Sequence, residues 1–193
     1  MEWLIKEERP DGRTMGCWIE RSAFQEMSVD AWWDWIDRTA PGWQQNDIRV
    51  FGQWHKEPRL TAWGGPAYQY ASVVWPARPL DGDIARLTSH VSRMTKTTYD
   101  GVLVNGYRNG QDAMGWHRDN ERHIDPSNIA SLSLVASRTF KLRDRRTQQV
   151  IDIDLEHGDL LVMEHLQDVH EHSIPRRMKV QEPRINFTFR RWV

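Results

Sequence analysis

The sequence predicts a mainly β protein of the α+β class: a double-sheet jelly roll preceded by helices. Two observations carry this. From Tyr99 onward about eight short apolar runs are separated by turn residues, the spacing of an all-β sandwich or jelly roll. Before them, two stretches repeat apolar residues at helical rather than strand spacing. The 193 residues are enough for one domain with a sizeable core. The division expected within it is 1–98 for the helices and a lid, and 99–193 for the jelly-roll core.

Taken in order, residues 1–27 are mixed, with weak alternation over Thr14–Phe24 that reads as a strand. Ser28 has the chemistry of an N-cap, and Val29–Thr39 carries Trp32, Trp33, Trp35 and Ile36 on a broad apolar face until Pro41-Gly42 stops it. Arg49-Val50-Phe51-Gly52-Gln53-Trp54 is either a strand end or a hairpin tip that presents Val50 and Phe51 to a partner. Trp63-Gly64-Gly65-Pro66 is turn chemistry. Behind it Tyr68 and Tyr70 share a face, as a core pair or as a stacking platform for a planar ligand. Asp81 then caps a helix whose Ile84, Leu87, Val91 and Met94 form a core stripe.

In the β-rich half, Val102, Leu103 and Val104 lead into Asn105-Gly106-Tyr107, with Asn105 and Tyr107 on one face. Strands follow over Ile129–Val135, where Ile129, Leu132 and Leu134 form the core pattern, and over Thr139–Leu142, Ile151–Leu155 and Leu160–Met163. The last strand alternates fully. Ile185, Phe187 and Phe189 lie on one face, and Arg184, Asn186, Thr188 and Arg190 on the other. Two arginines on an inward face need an anion, and the planar guanidinium suits a dicarboxylate; the same spacing also fits a solvent-facing strand.

Composition narrows the function. Lys and Arg number 26 against 27 Asp and Glu, which excludes a globally basic nucleic-acid binder and leaves local patches open. A single cysteine, Cys17, rules out an internal disulfide and fits a reducing compartment such as the cytoplasm. The first residues show neither a secretory leader nor a membrane span. The chemistry centres on His117-Arg118-Asp119, answered by His172. Two imidazoles and one carboxylate on one face of a metal leave the opposite positions open, the arrangement of non-haem Fe(II) oxygenases. His170, two residues earlier on the same face, is a rival ligand.

Four segments together resemble the AlkB family of Fe(II)- and 2-oxoglutarate-dependent nucleic-acid dioxygenases. They are Asn105-Gly106-Tyr107, His117-Arg118-Asp119, His172-Ser173-Ile174-Pro175 and Pro183-Arg184-Ile185-Asn186-Phe187-Thr188-Phe189-Arg190. The likeness runs from about residue 40 to the end. Asp47-Ile48-Arg49-Val50-Phe51-Gly52 with Pro58-Arg59 is similar to the branch that includes the duplex-repairing animal homologue. The resemblance implies a double-stranded β-helix with flanking N-terminal helices and a nucleotide-recognition lid. It implies iron on His117, Asp119 and His172, with His172 preferred over His170 because Ser-Ile-Pro follows it. It implies 2-oxoglutarate held at one end by Arg184 and Tyr107, with Asn105 and Arg190 near the other and Asn186 in the same set. Substrate contacts would come from Val50, Phe51, Gly52, Arg59, Tyr68, Tyr70, Glu121, Arg177 and Lys179. Of these, Tyr70 or its neighbour Tyr68 would stack on a flipped base and Glu121 would read its exocyclic amine. The implied reaction is oxidative demethylation of 1-methyladenine and 3-methylcytosine in duplex or single-stranded DNA. It consumes O2 and releases succinate, CO2 and formaldehyde, and the protein is expected to act as a monomer. RNA demethylation and protein hydroxylation use the same cofactors and are the alternatives. The loop Arg176-Arg177-Met178-Lys179 is less uniformly basic than a full cationic loop, and Asn120 stands where relatives often carry an acid.

Overall fold

In the computed structural model, residues 1–24, 43–50, 52–70, 73–80 and 82–193 are described. The helix expected over Val29–Thr39 and the capping Asp81 lie outside them.

The β-rich half supplies eight strands: β8 (Gly101–Tyr107), β9 (Met114–His117), β10 (Asn128–Val135), β11 (Arg138–Asp144), β12 (Val150–Leu155), β13 (Leu160–Glu164), β14 (His170–Ile174) and β15 (Arg184–Arg190). They form two facing sheets, and the chain mostly changes sheet with each strand. One holds β13-β10-β15-β8 in that order and the other β12-β11-β14-β9, with all neighbours antiparallel. That is the double-sheet jelly roll. The larger sheet continues past the expected boundary at residue 98. The strands β1 (Glu2–Glu8) and β2 (Thr14–Glu20) add to it beside β13, and β5 (Leu60–Gly64) adds beside β8. The jelly-roll sheet is therefore not confined to 99–193. Two small hairpins complete the β structure: β3 (Asp47–Val50) with β4 (Gln53–Lys56), and β6 (Tyr68–Tyr70) with β7 (Val73–Trp75). The Val50–Gln53 pairing leaves Phe51-Gly52 as the connection of the first. Gly52, at φ +83°, takes the left-handed conformation this turn requires.

The helix α1 (Gly82–Thr95) buries Leu87 and Val91, with Ile84 and Met94 partly covered, as its stripe predicts. Each fully buried side chain of this kind contributes about 1.5–3 kcal/mol. Its partners are Ile185, Phe187 and Phe189 of β15 and Ala130, Leu132 and Leu134 of β10, on the outer face of the larger sheet. A second apolar cluster fills the space between the sheets and includes Phe140, Leu142, Leu161 and Ile174.

This double covering splits the core pattern of β10: Ile129 belongs to the inner cluster, Leu132 and Leu134 to the outer one. Ser131 and Ser133 point the same way as Ile129, into the space between the sheets, and both are buried. All seven residues of β15 are buried too, so its polar face is turned inward rather than to solvent. Among the described residues, no helix is long and apolar enough to cross a membrane.

Candidate active site

His117 ends β9 and stands opposite His172 of β14 in the ladder. Asp119 follows two residues later, where the chain leaves the strand. One possible ligand atom from each of the three lies within 4.8 Å of the others. The alignment is secured around them. The Asp119 amide donates to the Gln167 side-chain oxygen at 2.9 Å, and the His172 ring stacks on Phe140 at 5.1 Å and 16°. His117 Nδ1 lies 2.9 Å from the Gly115 carbonyl, so Nδ1 carries the proton and Nε2 keeps its lone pair. Burial pushes both imidazoles below their usual pKa, and the neighbouring His117 helps bring His172 down to about 3. Burial alone would raise the Asp119 carboxyl. The Arg190 guanidinium bonded to its Oδ1 outweighs that and holds it below the carboxylate range. Two neutral imidazoles and one ionised carboxylate result, the donor set a divalent transition metal needs. His170, the rival, lies opposite Asp144 and outside this group.

The same three residues line one part of a cavity between the sheets, which Arg184, Asn186, Thr188 and Arg190 of β15 also line. Arg184 is 1% exposed and donates from Nη2 to Ser133 Oγ at 2.7 Å. Its Nε and Nη1 have no partner. The Tyr107 ring lies 5.3 Å from it, and the buried Arg138 lies 5.6 Å from the same ring. Burial, assisted by Arg138, pulls the Arg184 pKa down to about 10, so the charge persists at neutral pH. A buried cation with unsatisfied N–H groups calls for an anion, which fits a carboxylate ligand here.

A third group connects Asp119 to Tyr68 and Glu121. Arg190 Nη1 donates to Tyr68 Oη at 2.6 Å, and Tyr68 donates to Glu121 Oε1 at 2.7 Å. Glu121 Oε2 is buried without a partner. Burial, with the nearby Asp119 charge, raises the Glu121 carboxyl above its ordinary value despite Arg190. Tyr68 is buried and stacks on Trp63 at 4.7 Å and 28°.

Residues 20–190 match the model of the 2OG-Fe(II) oxygenase superfamily. The chain belongs to that superfamily. The family's name supplies Fe(II) and 2-oxoglutarate, and the donor set and the unsatisfied guanidinium suit both. Within it the AlkB resemblance holds. The chain is 40% identical to the human protein named DNA oxidative demethylase ALKBH2, over 75% of this chain and 60% of that protein. It is 35% identical to human alpha-ketoglutarate-dependent dioxygenase alkB homolog 3, over 70% and 52%. It therefore spans little more than half the length of these relatives. A solved structure described as "The structure of OsALKBH1" superposes with a TM-score of 0.66 over 92% of this chain and 98% of that one, at 16% identity, so the fold is shared.

For an oxygenase of this superfamily, several expected residues sit differently. Arg190 lines the cavity and is engaged by Asp119 and Tyr68, with its Nε unpartnered. Asn186 donates to Ser131 Oγ at 2.7 Å and to the Leu132 carbonyl at 3.0 Å, and accepts from Thr188. Its hydrogen-bonding capacity is taken up within the wall. Arg59 lies in the cavity wall itself. Arg177 and Lys179 are exposed on the loop after β14, with Arg177 donating to Thr139 Oγ1 at 3.1 Å. Phe51 lies outside the described residues, as do the side chains of Val50 and Tyr70. Sequence reasoning missed Ser131, Ser133, Gln167, Arg138 and Glu57. Only the two serines gave a signal, the alternation of β10.

Proposed function

We propose that this chain repairs N-alkylated bases in DNA, removing the methyl group of 1-methyladenine and 3-methylcytosine by oxidation. The observation that carries the reading is the make-up of one cavity. It is lined by both the His117–Asp119–His172 donor set and an unsatisfied buried Arg184. The relatives named DNA oxidative demethylase ALKBH2 support the substrate class.

His117, Asp119 and His172 would hold the iron, and Arg184 with Tyr107 the distal carboxylate of 2-oxoglutarate. When bound, these two would let O2 be used as the oxidant, one oxygen atom entering the N-methyl group and the other the succinate formed as CO2 leaves the cosubstrate; the hydroxymethyl base would then release formaldehyde. The protein's own part is to hold and to recognise. Arg190 fixes the Asp119 carboxylate from one side and Tyr68 from the other. Tyr68 in turn fixes Glu121, whose second oxygen stays open as an acceptor. Adenine and cytosine each carry an exocyclic amine that can donate to it. Both methylated forms are cationic and pair poorly, so extruding them from a duplex costs less than extruding an intact base.

The β3–β4 hairpin, with Phe51 in its connection, supports a duplex substrate. Its tip would fill the space that a flipped base leaves. The test compares methylated duplex DNA, single-stranded DNA and RNA at matched salt, for the wild type and for Phe51→Ala. Phe51→Ala is expected to slow duplex repair about tenfold, the order of a lost stacking contact, and to leave single-strand repair nearly unchanged. Equal losses on both DNAs contradict the role of the hairpin. Turnover of RNA alone replaces DNA as the substrate.

A further inference from the structure

We propose that Glu57 is a positioning residue for the cosubstrate: acting through Arg59, it fixes which end of the Asn105 amide faces the cavity and ties that amide to the base of the β3–β4 hairpin. The proposal rests on the reading of the cavity as a 2-oxoglutarate site.

The oxygen and nitrogen of an Asn side chain are nearly the same size, so its neighbours decide which way it points. Asn105 lines the cavity from β8 and receives Arg59 Nε at 2.9 Å. A guanidinium has only donors, so the Asn105 oxygen must be the atom that faces Arg59. The NH2 group is left on the other side, where it lies 3.4 Å from Asn186 Oδ1. A donor presented to an anionic oxo acid attracts it, whereas a carbonyl in that place repels it.

Arg59 keeps this position because Glu57 holds it, Nη2 to Oε1 at 2.9 Å, with both side chains at most 4% exposed. The other Glu57 oxygen receives Asn46 Nδ2 at 2.8 Å and Thr61 Oγ1 at 3.3 Å. The Glu57 amide donates to the Asn46 carbonyl at 2.9 Å. Asn46 and Glu57 are the residues immediately outside the two hairpin strands. An unbroken chain of polar contacts, half-buried at Asn46 and buried from Glu57 on, therefore joins the feet of the hairpin to the wall of the cavity. A buried ion pair of this kind adds little stability over an apolar pair of the same volume, whereas it fixes geometry that an apolar pair does not.

The test is calorimetric binding of 2-oxoglutarate to protein loaded with Mn(II) in place of iron, which reads affinity without turnover. It is run on the wild type, Glu57→Gln, Asn105→Ala and the double variant, with melting temperatures as a check on folding. Glu57→Gln is expected to weaken binding about ten- to hundredfold, the range for residues that orient a ligating group. In the Asn105→Ala background the same change is expected to add less than about twofold, because the two act as one unit. An unchanged affinity in Glu57→Gln, or equal losses in both backgrounds, overturns the proposal. If Glu57→Gln does not fold, Glu57→Gln with Arg59→Met removes both buried charges and enters the same cycle with the same expected result. A wild type that takes up no 2-oxoglutarate overturns the cosubstrate reading, and this shows before any substitution is compared.

Discussion

Asp119→Ala is expected to abolish iron-dependent turnover and to destabilise the fold at the same time. The two losses have separate causes. Turnover fails because two imidazoles alone do not complete the donor set. Stability falls because Arg190, 3% exposed, is left with a buried charge whose main counter-ion is gone. Breaking a buried pair from one side costs about 3–5 kcal/mol, or roughly 6–20 °C in Tm for a chain of this size. Asp119→Asn separates the effects. It keeps an oxygen for Arg190 and removes the ligand charge, so its melting temperature lies between the other two while turnover stays absent. His117→Ala loses turnover with a smaller drop in stability, because no ion pair depends on it. Turnover retained in Asp119→Ala, assayed with iron in excess, contradicts the assignment.

Arg184→Met is expected to show the opposite pattern in stability. Removing the guanidinium takes away the charged partner of the cosubstrate carboxylate, a loss of about 2–5 kcal/mol, or roughly thirty- to several-thousandfold in affinity. The ligand-free protein is not expected to suffer. Arg184 is a buried cation with two unsatisfied nitrogens, and an apolar chain of similar length relieves that cost. The melting temperature without ligand is therefore equal to or above that of the wild type. The rise that 2-oxoglutarate produces in the wild type is absent from the variant. Unchanged 2-oxoglutarate binding in Arg184→Met removes that end of the site.

Period and spacing were legible; direction and long-range partners were not. The alternation of Arg184–Arg190 announces a strand with one polar face, but a period of two does not say which face is inside. Here both faces are covered, the polar one by the cavity and the apolar one by α1. Thr14–Glu20 reads locally as a weak strand, and nothing local says that it pairs with β13, nearly the whole chain away. His117, Asp119 and His172 were legible as a set only with the segments around them, since His-x-Asp with a distant His is common by chance; the ladder brings the two histidines into register. Arg190 was expected near the cosubstrate; it does line the cavity, but its contact with Asp119 was not legible, because spacing does not name the partner of a buried charge. Glu57 carried no signal: its role depends on Asn46 across the hairpin and, through Arg59, on Asn105 of a distant strand.

The central claim is that one cavity couples iron, 2-oxoglutarate and a methylated base. It is tested most directly by loading the protein anaerobically with Fe(II) and 2-oxoglutarate, adding an oligonucleotide with one 1-methyladenine, and admitting oxygen. Mass spectrometry then follows the oligonucleotide. Loss of one CH2 unit, only when iron and 2-oxoglutarate are both present, is the predicted result. Succinate formed with the oligonucleotide unchanged keeps the oxygenase and contradicts this substrate. Neither product contradicts the account as a whole.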